Sequence, residues 1–317
     1  MDSKDKKLEL IMFAGAFIII FSSLASSGIF DWIKEGTITG RATTSTHTLN
    51  ISIANTAPSI SFVTPVLAQA PIENGIRNFI INFTAHDQDG TGNLNNATAR
   101  INATKTGEPT RSNATCGVVG NNNSTSANYT CTIPMWFFDD TGAWNITVAI
   151  NDTDGSFAQN TTQNFTFNTL TANVAGPSVV TFASISSGAR NTTPSSGPLL
   201  MNNTGNVAIA NFSIDLNATD LDGETDSALS IYARNISIGT KTGGTPTAEC
   251  GGQNVTLLSK SVYTAIANAS LPRGNHSIAN NATGQENIFI CIQYAGNELT
   301  GQPYSTSNEG SWTLRVS

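Results

Sequence analysis

Two turns of the form Asp-x-Asp-Gly stand at matching places in the chain, Asp87-Gln-Asp89-Gly90 and Asp220-Leu-Asp222-Gly223, each directly after a strand-like run. Carboxylate oxygens are hard ligands, and several converging from separate loops suit Ca²⁺, which takes six to eight oxygens in flexible geometry. In a two-sheet sandwich the loop after the second strand and the loop between the last two strands emerge at one pole. That placement would bring Asp87 and Asp89 to Asp152 and Asp154, and Asp220, Asp222 and Asp226 to Glu298. The competing reading is turn chemistry alone, in which Asp side chains cap their own backbone and Gly supplies positive φ. Thr98 stands twelfth from Asp87, where an EF-hand loop needs Glu, so that Ca²⁺ motif is excluded.

Other chemistry is sparse. The sequence contains no GxSxG elbow, no HExxH and no glycine-rich phosphate loop after a strand, and His47, His86 and His276 are scattered. Asp139-Asp140 before Thr-Gly reads as a turn rather than a catalytic carboxylate pair. The expectation is therefore a non-enzyme with no certain cofactor, Ca²⁺ being the one candidate. The four cysteines form no CxxC and stand apart from the histidines, which disfavours zinc. Cys116 with Cys131 and Cys250 with Cys291 is the expected pairing, because each half of the chain then closes its own bridge.

The most abundant modifiable group is asparagine. The 35 Asn and 73 Ser plus Thr give 21 Asn-x-Ser/Thr sequons, against about eight expected from random pairing. They include Asn50, Asn82, Asn96, Asn102, Asn113, Asn128, Asn145, Asn164, Asn191, Asn211, Asn217, Asn235, Asn254, Asn268 and Asn281, all downstream of the one long apolar run. An attached glycan is bulky and hydrophilic, so each used site must face water.

That apolar run, Ile11 to Phe30, follows Lys4, Lys6 and Lys7 and precedes Trp32 and Lys34. Basic residues hold the preceding end in the cytoplasm and send the rest across. Residues 1–10 are then a cytoplasmic tail and residues 11–33 a single-pass signal anchor of about 30 Å at 1.5 Å per residue. Small residues around Ser23 to Ser27 keep cleavage before Ser26 or Gly28 open as the alternative. The net charge of −7 and pI near 4.9 argue against nucleic acid as a partner. Charged residues are only 12% of the chain, about half the usual share, yet 39% apolar content suffices to fill cores.

The elements that must position these groups read as strands. An internal repeat at an offset of 133 to 134 residues aligns the two acidic turns, Cys116 with Cys250, and Tyr129-Thr130 with Tyr263-Thr264. The segments Leu49-Asn-Ile-Ser-Ile to Phe62 and Phe167 to Val180 match as well, each running from a strand through Pro into another strand. The first copy predicts strands at 59–63, 78–85, 97–103, 129–133, 144–150 and 163–167, and a short helix is admitted only at 255–267. The division is a stalk with one strand at 34–54, domain 1 at 55–170, a linker at 171–177 and domain 2 at 178–317.

A strand ending in Asp-x-Asp-Gly, an apolar strand several residues later and an Asn55-Thr-Ala-Pro58 lead-in resemble the Ig-like repeats, cadherin-like or PKD-like, of archaeal and bacterial surface proteins. Gly40-Arg-Ala-Thr-Thr44 before a strand is similar to the segment after the anchor in secreted archaeal surface proteins. The resemblance implies an all-β fold with two tandem Ig-like sandwiches behind the anchor, at the extracellular face of the cell membrane. The function expected is a glycosylated surface protein with a structural or adhesive role, whose partners are the membrane, its glycans and other surface proteins or itself. The alternative is a subunit of an extracellular filament or surface layer. Residues 48–53, a strand without a sandwich of its own, would either pair with the edge of domain 1 or be donated to a neighbour.

Overall fold

The computed structural model describes residues 47–240, 250, 255–277 and 284–317. The expected anchor lies outside the described residues; within them no helix is long and apolar enough to cross a membrane. Contacts divide the chain into residues 1–53 and 54–317. Residues 47–53 form no strand, which corrects the one-strand stalk. Leu49, Ile51 and Ile53 are 83%, 77% and 87% exposed. The physical reason is that an extended segment gains nothing from β geometry until a neighbour supplies ladder bonds.

The described residues of 54–317 are all-β but for one 3-10 turn at Ala233–Asn235. The first half builds β1 (Ser59–Val63), β2 (Ile76–His86), β3 (Leu94–Thr104), β4 (Arg111–Asn113), β5 (Gly117–Asn121), β6 (Ser126–Trp136), β7 (Gly142–Asp152) and β8 (Phe157–Phe167). They pair antiparallel into two sheets, ordered β1-β2-β6-β5 and β4-β3-β7-β8. The six strands expected in this copy are all present, and β4 and β5, too short and polar to carry an alternation, were not foreseen. On β2, Phe79, Ile81, Phe83 and Ala85 point inward while Ile80 and Asn82 face out, the period-2 pattern of a half-buried strand. β6 answers with Tyr129, Cys131, Ile133 and Met135. The opposing sheet adds Ile101, Trp144, Ile146, Ile150 and Phe165, so one core fills the space between the sheets. Trp144 is fully buried and satisfies its indole by donating to Asp140 O at 2.8 Å.

The second half continues with β9 (Asn173–Gly176), β10 (Arg190–Thr192), β11 (Leu199–Asn203), β12 (Ile214–Asn217), β13 (Leu221–Gly223), β14 (Ser230–Ile231), β15 (Ile236–Thr240), β16 (Val255–Leu257), β17 (Tyr263–Ala265), β18 (Gln285–Tyr294), β19 (Tyr304–Ser305) and β20 (Thr313–Val316). One larger sheet runs β16-β15-β18-β11-β9, with β10 also on β18, and two three-stranded sheets are β17-β12-β20 and β14-β13-β19. The core gathers Met201, Ile214, Leu216, Ile238, Ile266, Ile288 and Ile292. Three expectations are corrected here. Residues 171–177 are not a free linker, because β9 pairs with β11 across Asn173↔Asn203 to Gly176↔Leu200. Residues 255–267 hold β16 and β17 and no helix. The segment after Pro177, matched in sequence to β1, forms no strand.

The repeat is visible in the ladders. The pairs Ile81↔Cys131, Asn82↔Thr130 and Phe83↔Tyr129 of β2 and β6 reappear 134 residues on as Asp215↔Ala265, Leu216↔Thr264 and Asn217↔Tyr263 of β12 and β17. The faces, however, are exchanged: Tyr129 is fully buried and stacks on Phe83, whereas Tyr263 is 40% exposed under the Arg315 guanidinium. Because side chains alternate with a period of two, one residue of slip inverts which face meets the core.

Candidate functional site

The acidic turn of the first half sits where β2 ends. Asp87 is wholly buried; its amide donates to Thr125 O at 2.8 Å and its Oδ1 accepts from the Asp89 amide at 2.8 Å. Gly90 closes the turn at φ +107°, its amide donating to Asp87 O at 3.1 Å. Asp89 Oδ2 accepts from the Thr56 amide at 2.7 Å. Asp152, buried at the end of β7, accepts from Asn55 Nδ2 at 2.8 Å and from the Ser156 amide at 2.7 Å. Asn55 Oδ1 in turn accepts from Asn93 Nδ2 at 2.8 Å. Burial opposes the Asp152 charge, but hydrogen bonds from Asn55 and from the Ser156 main chain and hydroxyl together outweigh it and hold the carboxyl below its ordinary pKa. Asp154 is exposed on the same turn. The arrangement clasps residues 55 and 56 to the pole of the sandwich.

In the second half each carboxylate has its own separate use. Asp220 accepts from the Ala233 amide at 2.7 Å and pairs with Lys260 Nζ at 3.2 Å. Asp222 accepts from Ser230 Oγ at 2.7 Å, and Asp226 from the Ala228 amide at 3.1 Å. Glu298 lies folded over Gly296. Among the described residues no three His, Cys, Asp or Glu side chains are grouped to hold a metal ion. In the second set Lys260 supplies positive charge at Asp220. In the first set Asp87 Oδ2 is buried with no hydrogen-bond partner among the described residues. The disulfides join Cys116 to Cys131 and Cys250 to Cys291, with Cα atoms 4.5 and 5.4 Å apart.

Sequence reasoning missed the charged junction between the two halves. Arg273 donates through Nη1 to Glu108 Oε2 at 3.1 Å, through Nη2 to Glu108 Oε1 at 2.5 Å, and to Phe138 O at 2.7 Å. Thr204 Oγ1 donates to Glu73 Oε1 at 2.7 Å and Thr204 O accepts from the Asn74 amide at 3.0 Å. Beside them Asp139, expected as a plain turn residue, is fully buried under a two-pronged contact with Arg111, its Oδ2 also accepting from the Trp136 amide at 2.8 Å. Burial is the largest influence on Asp139 and raises its pKa; the hydrogen bonds and charge of Arg111 offset that in part. The sequence signal was present in Trp136-Phe-Phe-Asp-Asp140, three aromatics running into two acids. The acidic group of the second half, bonded to Ala233 and Lys260, makes none of these junction contacts.

The chain matches no protein-family model and no curated protein. Among solved structures it is similar to the secreted serine protease VesC from Vibrio cholerae, at 7% identity and a TM-score of 0.19, over 76% of this chain and 48% of that one. The chain thus spans about half the length of that protein, and a likeness this slight carries no argument.

The sequons form the widest set of candidate sites. Asn254 and Asn281 lie outside the described residues; none of the other sequon asparagines is buried. On the outward face of β2 stands Asn82, on β6 Asn128, on β3 Asn102, and on β7 and β8 the cross-strand neighbours Asn145 and Asn164. The two buried asparagines, Asn203 and Asn206, belong to no sequon. Both bond the main chain instead: Asn206 Nδ2 donates to Asn168 O and Asn203 Nδ2 to Val207 O, each at 2.8 Å.

Proposed function

We propose that this chain is a cell-surface glycoprotein with a structural or adhesive role, anchored through residues 11–33 and built of two tandem Ig-like domains. The observation that carries the reading is the sorting of asparagines: no described sequon asparagine is a buried residue, only the Oδ1 atoms of Asn151 and Asn217 being enclosed, while the buried Asn203 and Asn206 lie outside sequons. Strand order supports the Ig-like part, since β1-β2-β6-β5 and β4-β3-β7-β8 correspond to A-B-E-D and C′-C-F-G. No cation and no catalysis enters the reading. Glycopeptide mapping of the protein from the cells that make it is the test, with most sequons occupied as the expected result; bare asparagines throughout would overturn it.

A second reading, a subunit of an extracellular filament or surface layer, is favoured by one further observation. Leu49, Ile51 and Ile53 alternate as a strand would, yet stand exposed with no ladder partner among the described residues. A strand-forming segment in that state is a ready donor to another sheet edge.

A further inference from the structure

A cavity of about 1120 Å³ opens in the second half between β18 and the small β14-β13-β19 sheet, with residues 178–187 along one wall. Its apolar surface comes from Phe182, Leu221, Ile231, Ile290, Ile292 and Trp312, and no charged side chain lines it. Residues 179–185, Val-Val-Thr-Phe-Ala-Ser-Ile, are rich in strand formers. Thr181 is held by Ser195 and Ser196, but the amides and carbonyls of Phe182 to Ile185 make no hydrogen bond among the described residues. A segment of this composition, beside apolar surface with its main chain unpaired, is a strand edge awaiting a partner. The region is also free of sugar sites: no sequon falls between Asn164 and Asn191, or after Asn281. The smaller depression on the first half is instead flanked by the sequons Asn82, Asn122 and Asn128.

We propose that this cavity receives residues 48–53 of a second copy of the chain as an added strand along Phe182–Ile185, with Leu49, Ile51 and Ile53 seated on the apolar wall; the inference rests on the filament reading above. The donor carries no charge from Thr48 to Ile53, matching an uncharged cavity in a chain of net charge −7. With a period of two, Asn50 and Ser52 face away, so a glycan on Asn50 stays in solvent. The donor must come from another copy. Asn55 is bonded at the pole carrying Asp152, whereas the second half docks at the opposite pole through Glu73 and Glu108. The eleven residues of β2 separate these poles by about 35 Å, and the six Cα–Cα steps from Leu49 to Asn55 reach roughly 20 Å.

The test uses the full-length chain in detergent, mixed from isotopically heavy and light preparations, with a benzophenone amino acid replacing Phe182. Cross-links from position 182 to the peptide bearing Leu49–Ile53, found between heavy and light chains, are the expected result. Ile51→Asp should weaken self-association at least tenfold with an unchanged melting temperature. A synthetic peptide of residues 46–55 should bind the Ile51→Asp protein and protect the amides of Phe182 to Ile185 from exchange. Cross-links confined to one isotope, cross-links to another peptide, or unaltered association of Ile51→Asp would each overturn the proposal. Any of these with the sequons occupied leaves the surface-glycoprotein reading intact, whereas bare sequons remove that reading whatever the cross-links show.

Discussion

Asp139→Ala should cost about 3 kcal/mol of folding stability, although the ion pair it breaks does not itself stabilise the fold. Asp139 has no solvent exposure and Arg111 keeps 16% of its side chain in water. Deleting one partner of a buried pair leaves the other charge uncompensated, at about 3–5 kcal/mol, and the partial exposure of Arg111 puts this case at the low end. The raised Asp139 pKa gives the sign of the pair itself: burial of the charge outweighs the help from Arg111. Because the folded value exceeds the unfolded one, the native protein binds this proton more tightly. The stability supplied by this group is therefore greatest below the ordinary carboxylate range and is lost as pH rises through the folded value. Asp139→Leu with Arg111→Met should then be neutral or up to about 4 kcal/mol more stable than the parent at pH 7. That advantage should shrink as pH falls toward 4. Guanidinium unfolding of the parent, Asp139→Ala, Asp139→Leu, Arg111→Met and the double variant, at pH 7 and at pH 4, measures all three quantities. A single substitution costing under about 1 kcal/mol, or a double substitution that loses the sum of the singles, would refute the argument.

Further outcomes follow from the same geometry. Replacing Cys250 and Cys291 by Ser opens a 41-residue separation and should cost about 4 kcal/mol, against about 3 for the 15-residue separation of Cys116 and Cys131, read as loss of thermal stability. Asn151 and Asn217, whose Oδ1 atoms are buried with no partner among the described residues, should be unmodified in a glycopeptide map while Asn164, Asn191 and Asn268 carry sugar. Glu108→Gln should loosen the junction, seen as faster amide exchange in the β6–β7 turn with β2 unaffected, because Arg273 loses its paired charge. The depressed Asp152 pKa means that its contribution is present above the unfolded carboxylate value and is lost as pH falls through the folded one, so acid should release residues 55 and 56 before the sandwich unfolds, as followed by Thr56 amide exchange.

Much of the first sandwich was legible because its strands obey the simplest rule available. In β2, β6 and β7 every second residue is apolar and buried, so element, face and core could be read together. The second half resisted for a physical reason visible in β12 and β17. These strands are only four and three residues long and the repeat there is one residue out of phase with the core, so matching Tyr263 to Tyr129 located the ladder and inverted the face. Strand chemistry alone also placed a strand after Pro177, but a strand exists only where a neighbour pairs with it, and Phe182 to Ile185 have none among the described residues. Carboxylates were the least legible class. Asp-x-Asp-Gly marked the turns, yet whether an oxygen meets a cation, an amide or Arg111 depends on chain segments far away in sequence, here Asn55 and Lys260.

The distribution of sugar sites ties these observations together through the edges of the sheets. An unprotected edge strand invites pairing with another chain, and folds blunt it with bulges or bulky groups. In the first sandwich β8 carries the sequons Asn160 and Asn164, β4 carries Asn113, and β5 runs into Asn122 and Asn123. The remaining edge, β1, has no sequon but is broken by a bulge between Ile60 and Phe62. Every edge of that sandwich thus carries a sequon or a bulge. Residues 182–185, unpaired beside an apolar cavity, have neither guard, and neither does the face of 49–53 that holds Leu49, Ile51 and Ile53. Two strand-forming segments left bare in a chain that covers its other first-half edges are what strand exchange between copies requires, and glycans on the guarded edges would confine that exchange to one register.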